Sequence, residues 1–392
     1  MKMLRIGYYT EVNLNKNDGP AVNELEFIKS LSSLNVKNCS IFLASENKNN
    51  PVLEKLNVFF LGDAPRISMI LKWFRRFLLI NKEIKNRKTQ ILVCRLTDYP
   101  IVPLLVKIFN PKIKLSIKTA ALWWVGRSDS KKVSDRIYLF FNDLITKAVY
   151  RRADAIDVAM PETKKTLIAL GLAQFEKTKI IDNNINTEMF FPDFTLRPRQ
   201  KINVPKNSIV LGFAGSLPTQ RGATQILKVA EKLESTINNL YVLIVGYDER
   251  LHNLVEQTSF PRKKILLTGQ LPYSEIPTCI AAMTICYSFF EEHKIKRTGN
   301  ASQKVKQYIS MGKPVISVST GHEYLQKQQL GSPVNQNDIE EIARETVKWI
   351  KRIETEGDML AQRLHQYAVD HLSTEKTLQQ RLEFWNSILK KG

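Results

Sequence analysis

The residues best suited to bind an anion lie in segment 297–316, RTGNASQKVKQYISMGKPVI. Ser302 predicts the start of a helix that ends at Gly312, and the backbone N–H groups at a helix start favour a negatively charged ligand. Lys304 stands in the first turn, where the helix dipole disfavours a cation, so its position indicates a function. Gln307 lies one turn further and offers an amide to a ligand hydroxyl. The alternative is a capped surface helix with a solvated lysine.

Two further loops combine a glycine with the start of a helix. In GSLPTQRGATQIL, Gly215 ends an apolar run and Arg221 stands just before the next helix, where a guanidinium can clamp a pyrophosphate through two hydrogen bonds. In NDGP, Gly19 precedes a helix and allows the backbone to approach a phosphate. The alternatives are an exposed loop arginine and an ordinary glycine turn.

Several chemistries are excluded by motifs that the sequence lacks. No G-x-G-x-x-G or Walker A pattern is present, so neither a dinucleotide fingerprint nor a P-loop is predicted. The 5 histidines lack metal-ligand spacing, and no metal site or cofactor is expected. The 4 cysteines contain no C-x-x-C pair, which indicates a reducing compartment.

The elements that position these loops alternate between short apolar runs and helical patterns. This alternation predicts an α/β fold with parallel, doubly wound sheets. The 392 residues exceed one ordinary core, and a proline-rich stretch interrupts the pattern. We therefore predict a Rossmann-like domain over 1–185, a linker over 186–204, a second Rossmann-like domain over 205–365 and a C-terminal helical segment over 366–392 that packs on the first domain.

Three segments carry a resemblance to a known family, and they are IIDNNINTEMFFPD (180–193), GFAGSLPTQRGATQIL (212–227) and NASQKVKQYISMGKPVIS (300–317). In order and separation they are similar to the hinge turn, the Arg-Gly or Lys-Gly loop and the Ser-x-Lys-x-x-Glu-Tyr helix of the retaining GT-B glycosyltransferases of group one. The resemblance covers the second half of the chain, whereas the first half matches only in its first strand, glycine loop and helix.

The resemblance implies two facing Rossmann-like domains with an interdomain cleft, and transfer of a sugar from a nucleoside-diphosphate donor without a metal. It assigns Arg221 and Lys304 to catalysis through the leaving diphosphate, and Gln307 to the ribose. The implied donor-binding residues are Gly19, Gly215, Ser216, Arg221, Asn300, Ala301, Ser302, Lys304 and Gln307.

Four positions depart from the family pattern. Gly299 and Gln307 replace two acidic residues, Ser216 replaces an arginine, and no histidine precedes His252. These departures leave two alternatives open. One is a catalytically silent GT-B protein that binds a glycan, a lipid or a partner subunit, and the other is a nucleotide-sugar epimerase.

The first half of the chain is strongly basic. The formal net charge is +20, and residues 66–118 hold 13 basic but only 2 acidic side chains. Segment 66–88 predicts an amphipathic helix with an apolar stripe and basic flanks, which suits either an anionic membrane surface or a core helix with a solvated edge. The expected acceptor or membrane side comprises Lys72, Trp73, Arg75, Arg76, Trp123 and Trp124.

These features define the expected partners and location. The charge attracts polyanions, but no nucleic-acid-binding motif is present, so nucleic acid is not expected. We expect a nucleotide sugar, a glycan or lipid-linked acceptor and an anionic membrane surface. The start of the chain lacks the apolar core of a signal peptide, so we expect a cytoplasmic location that includes the inner face of a membrane.

Overall fold

The computed structural model divides into two compact units. The first contains the described residues up to Asn184 and the C-terminal helix from Thr374, and the second contains those from Ile185 to Ser373. The described residues are 4–15, 19–32, 34, 38–44, 51–54, 56–62, 68–122, 124–125, 133–195, 197–216, 218–290 and 302–390.

The first unit is built on a sheet of seven parallel strands in the order β3-β2-β1-β4-β5-β6-β7. The strands are β1 (Ile6–Thr10), β2 (Cys39–Leu43), β3 (Val58–Phe60), β4 (Ile91–Arg95), β5 (Lys114–Thr119), β6 (Ala155–Val158) and β7 (Thr178–Ile180). The strand order reverses between β1 and β4, and in such sheets the carboxyl ends of the strands at this point form the ligand crevice.

The second unit contains a sheet of six parallel strands in the order β10-β9-β8-β11-β12-β13. The strands are β8 (Ile209–Ala214), β9 (Leu240–Val245), β10 (Ile265–Gly269), β11 (Ile285–Ser288), β12 (Val315–Val318) and β13 (Gly331–Val334). The strand order reverses between β8 and β11, so the loops after these two strands flank the corresponding crevice.

Helices follow most strands and cover the sheets. In the first unit they are α1 (Gly19–Leu31), α2 (Pro51–Glu54), α3 (Met69–Asn86), α4 (Ile101–Phe109), α5 (Val133–Arg152) and α6 (Pro161–Ala169). In the second they are α7 (Arg197–Lys201), α8 (Pro218–Arg221), α9 (Ala223–Leu233), α10 (Leu251–Gln257), α11 (Ile276–Ala282), α12 (Gln303–Ser310), α13 (Tyr324–Lys327), α14 (Ile339–Glu356) and α15 (Asp358–His371). The last helix, α16 (Thr374–Lys390), returns to the first unit and packs against α1, β5 and β6.

The predicted α/β class is confirmed by the two parallel sheets. Four strands were not predicted from the sequence, and they are β3, β6, β7 and β13. Each is only three or four residues long, and some carry polar residues, so no clear apolar run marks them. Segment 186–204, whose prolines predict a linker, contains α7. It is fixed within the second unit, since the guanidinium of Arg199 donates to the Ser208 carbonyl oxygen at 2.8 Å and to Thr284 Oγ1 at 3.2 Å.

Each sheet is covered by apolar side chains on both faces. Strands β1, β2 and β6 are buried along their whole length, as expected where helices cover both faces of a parallel sheet.

In the described part of the chain, no helix is both long and apolar enough to cross a bilayer.

Candidate functional site

The ammonium of Lys304 is held by aromatic rings at the end of β8. Its Nζ lies 4.6 Å from the ring centroid of Phe213 and 5.5 Å from that of Phe290. Both rings turn their electron-rich faces to the cation, which stabilises it by about 0.5–2 kcal/mol at each ring. The predicted placement of Lys304 in the first turn of a helix agrees with α12, and the rings fix where its charge lies.

Gly215 makes room for this ammonium. It follows β8 with a φ of +152°, and a Cβ there would lie 2.9 Å from Lys304 Cε and 3.0 Å from Nζ. Any other residue at this position would therefore displace the lysine. Of the two predicted donor residues in this loop, Gly215 lies beside the ammonium. The other, Ser216, follows Gly215 in the chain and is exposed.

Tyr308 ties α12 to the same strand end. Its hydroxyl accepts a hydrogen bond from the Ala214 N–H at 2.8 Å and lies 3.2 Å from the Ala214 carbonyl oxygen, to which it donates. The ring is fully buried, and burial raises the pKa of Tyr308 well above its usual value, so the hydroxyl keeps its proton. The two bonds hold the helix that carries Lys304 in register with Gly215.

Gln307 occupies the ribose position implied by the resemblance, and its orientation is set by a tyrosine. Its Nε2 donates to the hydroxyl of Tyr273 at 3.1 Å. The side-chain amide is largely buried, and its nitrogen faces Tyr273, so the remaining oxygen can serve as an acceptor for a ligand hydroxyl.

Polar side chains also gather where β11 and β12 end and α12 begins. Ser302 precedes α12 without a side-chain capping bond, and its Oγ lies 3.5 Å from Ser288 Oγ. Ser317 Oγ donates to the Ser288 carbonyl oxygen at 2.5 Å and lies 2.7 Å from His322 Nδ1. Because the serine has one proton and uses it on the carbonyl, Nδ1 is the donor to Ser317. Burial lowers the pKa of His322 to about 3, so its ring is neutral at physiological pH.

The arginine loop is described by its backbone. Arg221 ends α8, directly before Gly222, which is the N-cap of α9. The loop after β9 anchors α8, since a carboxylate oxygen of Asp248 accepts hydrogen bonds from the Thr219 N–H at 2.8 Å and from Thr219 Oγ1 at 2.7 Å. The Arg221 side chain and the predicted donor residues Asn300 and Ala301 lie outside what the structure describes.

Gly19 is the first residue of α1, in the first unit. A Cβ at this position would meet no atom within 4 Å, so packing among the described residues does not require a glycine. The approach of this backbone to a phosphate stays a prediction.

The predicted acceptor-side residues divide between the surface and the interior. Lys72 is half-buried and Arg75 exposed on α3, whereas Trp73 and Arg76 lie on the buried face of the same helix. Trp73 stacks on Tyr99 and Arg76 pairs with Glu11, and both line a cavity in the first unit. Their burial does not suit direct contact with a membrane, and their assignment to the acceptor side stays a prediction.

The tryptophan pair has a similar outcome. Trp124 is only 3% exposed and packs near Tyr150, with 6.1 Å between ring centroids. It belongs to the core, so its predicted interfacial role is wrong and the alternative of buried packing holds. Trp123 lies outside the described residues.

Among the described residues, no group of three or more His, Cys, Asp or Glu side chains could hold a metal ion.

Comparison with known proteins identifies the fold. Residues 208–352 match the family model for glycosyl transferases group 1. Anabaena Alr3699/HepE in complex with UDP matches with a TM-score of 0.73 and 15% identity, over 98% of this chain and 100% of that one. The chain has the GT-B glycosyltransferase fold. The resemblance of the second half of the chain to group 1 glycosyltransferases, inferred from the sequence motifs, is thus confirmed.

Other proteins with the GT-B fold span more than one activity. WaaG, a glycosyltransferase involved in lipopolysaccharide biosynthesis, matches with a TM-score of 0.67 and 12% identity, over 95% of this chain and 98% of that one. A UDP-N-acetylglucosamine 2-epimerase matches with a TM-score of 0.60 and 12% identity, over 99% of this chain and 97% of that one. No curated protein matches the sequence significantly.

Three residues at this site were not predicted from the sequence. Phe213 and Phe290 contact Lys304, and Asp248 contacts Thr219, but no local pattern in the sequence indicates these contacts. Tyr308 carried a usable signal, since it stands at the Tyr position of the Ser-x-Lys-x-x-Glu-Tyr motif.

Proposed function

We propose that the protein is a retaining glycosyltransferase that transfers a sugar from a nucleoside-diphosphate donor to a glycan or lipid-linked acceptor, in the synthesis of a cell-surface polysaccharide or glycoconjugate. The observation that carries the proposal is the Lys304 ammonium, held against Gly215 where β8 ends and α12 begins. A fixed cation beside the N–H groups of a helix start suits the diphosphate of such a donor.

The residues of the second unit divide the work on the donor. Lys304, Arg221 and the start of α12 stabilise the negative charge that grows on the leaving nucleoside diphosphate. The oxygen of Gln307 accepts a hydrogen bond from the ribose, because its nitrogen is engaged by Tyr273. Uridine is the first base to test, since the Anabaena protein with this fold was crystallised with UDP.

In this proposal positively charged side chains take the place of a divalent metal at the diphosphate. Turnover should therefore be unchanged in EDTA. Loss of turnover in EDTA that Mg²⁺ restores would show that the metal-independent part of the proposal is wrong.

The acceptor side is assigned to the first unit. Helix α3 exposes a run of apolar side chains beside basic ones, which supports an acceptor presented at an anionic membrane surface. The involvement of WaaG in lipopolysaccharide biosynthesis supports an acceptor of the same general kind, a lipid-linked saccharide.

The decisive experiment is calorimetric titration of the full chain with UDP, GDP, ADP, CDP and dTDP in EDTA. We expect one nucleotide to bind clearly more tightly than the rest. Lys304→Gln should weaken that binding about 10- to 100-fold, because a hydrogen bond between charged groups contributes about 1.5–3 kcal/mol. Lys327→Gln, at an exposed lysine of the same unit, is the matched control and should bind as the unaltered protein does.

Two other outcomes lead to other functions. Binding of no nucleotide contradicts the donor site and favours the silent binding protein, for which Gln307 at an acidic position of the family is the supporting observation. Proton NMR of the reaction could instead show that one nucleotide sugar is converted into another without transfer to any acceptor. This result would indicate an epimerase. With an active enzyme, the same spectra report whether the anomeric configuration of the donor is retained.

A further inference from the structure

The first unit contains a cavity of about 370 Å³ at the reversal point of its sheet. Glu11 enters it from the end of β1 and Asp98 from the end of β4, the two strands between which the order reverses. Trp73 of α3 and Tyr138 of α5 close two of its sides. Its position is the one at which parallel α/β sheets bind their ligands, and its volume lies within the range of small-molecule sites.

One wall of the cavity is aromatic. The rings of Trp73 and Tyr99 are stacked, with centroids 5.6 Å apart and an interplanar angle of 25°. Tyr138 meets Tyr99 edge to face at 4.7 Å. All three residues line the cavity.

Tyr99 is held in this wall by a strained backbone. Its φ is +52°, in the left-handed region that non-glycine residues rarely adopt. The Tyr99 N–H donates to Asn142 Oδ1 at 2.6 Å, and its hydroxyl donates to the Tyr138 carbonyl oxygen at 2.7 Å. Strain of this kind is found preferentially at ligand sites, so it supports a binding role for the Tyr99 ring beside the cavity.

The cavity lining also contains charged side chains of both signs. The guanidinium of Arg76 pairs with Glu11 at 3.3 Å, and both side chains are largely buried. Among the described residues, Asp98 and Lys72 are the other charged residues that line the cavity, so the four formal charges of this lining cancel although the surrounding segment is strongly basic. Burial raises the pKa of Glu11, while Tyr9, Arg76 and Thr97 act in the other direction. The described lining therefore does not favour an anion.

A lining that combines aromatic rings with carboxylate and guanidinium groups suits one class of ligand. A pyranose ring has a C–H face that packs on aromatic rings and hydroxyls that both donate and accept. We propose that this cavity binds an uncharged pyranose unit of the acceptor, with Trp73, Tyr99 and Tyr138 against its C–H face and Glu11, Arg76 and Asp98 at its hydroxyls. This assignment rests on the proposed function, since it names the chemistry of the acceptor.

The test is saturation-transfer NMR on the full chain with methyl glycosides of glucose, galactose, mannose and N-acetylglucosamine, in the presence of the tightest-binding nucleotide. At least one glycoside should bind saturably. Tyr138→Ala should weaken it about 2- to 10-fold, as expected for loss of one aromatic contact. Asp98→Asn should weaken it as well. Phe140→Ala removes an exposed ring of the same helix that does not line the cavity, and it should change nothing.

Each other outcome overturns the inference. If a nucleotide binds but no glycoside does, the cavity does not take an uncharged sugar, while the proposed function stands. Equal binding by Tyr138→Ala and Phe140→Ala places the sugar elsewhere. Displacement of the glycoside by inorganic phosphate identifies an anion site instead. Nucleotide titrations with Tyr138→Ala separate the two proposals, because Lys304, Arg221 and Gln307 lie in the other unit and their contacts with the donor should be unaffected.

Discussion

At the scale of single residues, Lys304 shows how position turns a common side chain into a functional one. A lysine in the first turn of α12 opposes the helix dipole, but the rings of Phe213 and Phe290 compensate for this at the ammonium. Gly215 leaves the space that the ammonium needs. The charge is therefore fixed before a diphosphate arrives, and less side-chain entropy is lost on binding.

Gly215→Ala tests this arrangement directly. The new Cβ would overlap Lys304 Cε and Nζ, so the ammonium must move and nucleotide affinity should fall about 10-fold. Gly171→Ala is the matched control, because Gly171 also has a positive φ, of +62°, but no atom lies within 4 Å of its Cβ position. Both variants place a Cβ at a positive φ, with more strain at Gly215 because a φ of +152° lies outside the left-handed region near +60°. Only Gly215→Ala should weaken binding in a calorimetric titration. Equal affinities would show that the Lys304 position is unimportant.

The sequence could place Lys304, Gln307 and Gly215 because each belongs to a local strand–loop–helix pattern. It could not place Glu11, Tyr99 and Phe290 in sites, since their partners are distant in the chain and meet only after the sheets form.

At the scale of elements, α3 separates two roles that the sequence combined in one helix. The predicted helix over 66–88 corresponds to Met69–Asn86. The predicted apolar stripe is split, because Phe77 packs inside while Ile70 and Phe74 are 74% and 53% exposed. Periodicity identifies an amphipathic helix, but it does not show which side faces the core when both sides carry large apolar residues.

The exposed side of α3 predicts salt-sensitive binding to anionic membranes. Six large apolar side chains are exposed there, and they are Met69, Ile70, Leu71, Phe74, Leu78 and Leu79. Lys82 and Lys85 extend the same side with positive charge, and each cation near an anionic surface contributes about 1 kcal/mol. Ile70→Gln with Phe74→Gln should reduce flotation with phosphatidylglycerol liposomes at low salt without lowering thermal stability, because both residues are exposed.

Met359→Gln is the control for this prediction, since Met359 is 70% exposed in the second unit. It should float as the unaltered protein does. If the α3 variant floats equally well, or if high salt has no effect, α3 is not a membrane-binding surface.

At the scale of the whole molecule, the end of the chain completes the first unit. Helix α16 places Arg381 and Trp385 in its interior. The Arg381 guanidinium pairs with Asp157 at 3.1 Å and donates to the Asp182 carbonyl oxygen at 2.9 Å, and Trp385 Nε1 donates to Ser116 Oγ at 3.0 Å. The last residues of the chain are therefore part of the core around β5 and β6, and the unit depends on them.

Arg381→Met should destabilise the first unit by about 3–5 kcal/mol, because it leaves the Asp157 carboxylate buried without its partner. Burial already raises the pKa of Asp157, and Arg381 lowers it, so loss of the arginine raises it further. A carboxyl whose pKa is higher in the folded state loses stability as pH rises, so the defect should be largest at neutral pH and shrink toward pH 4. The double variant Asp157→Asn/Arg381→Met should recover most of the loss.

Urea unfolding followed by tryptophan fluorescence, with and without the tightest-binding nucleotide, measures this effect. The nucleotide should stabilise the second unit. An unfolding transition that is shifted by the variant, but not by the nucleotide, therefore belongs to the first unit. Lys232→Met is the control, because Lys232 and its partner Glu340 are both exposed and such pairs contribute at most about 1 kcal/mol. If Arg381→Met and Lys232→Met cost the same, or if the loss does not depend on pH, the buried pair does not hold α16 in place.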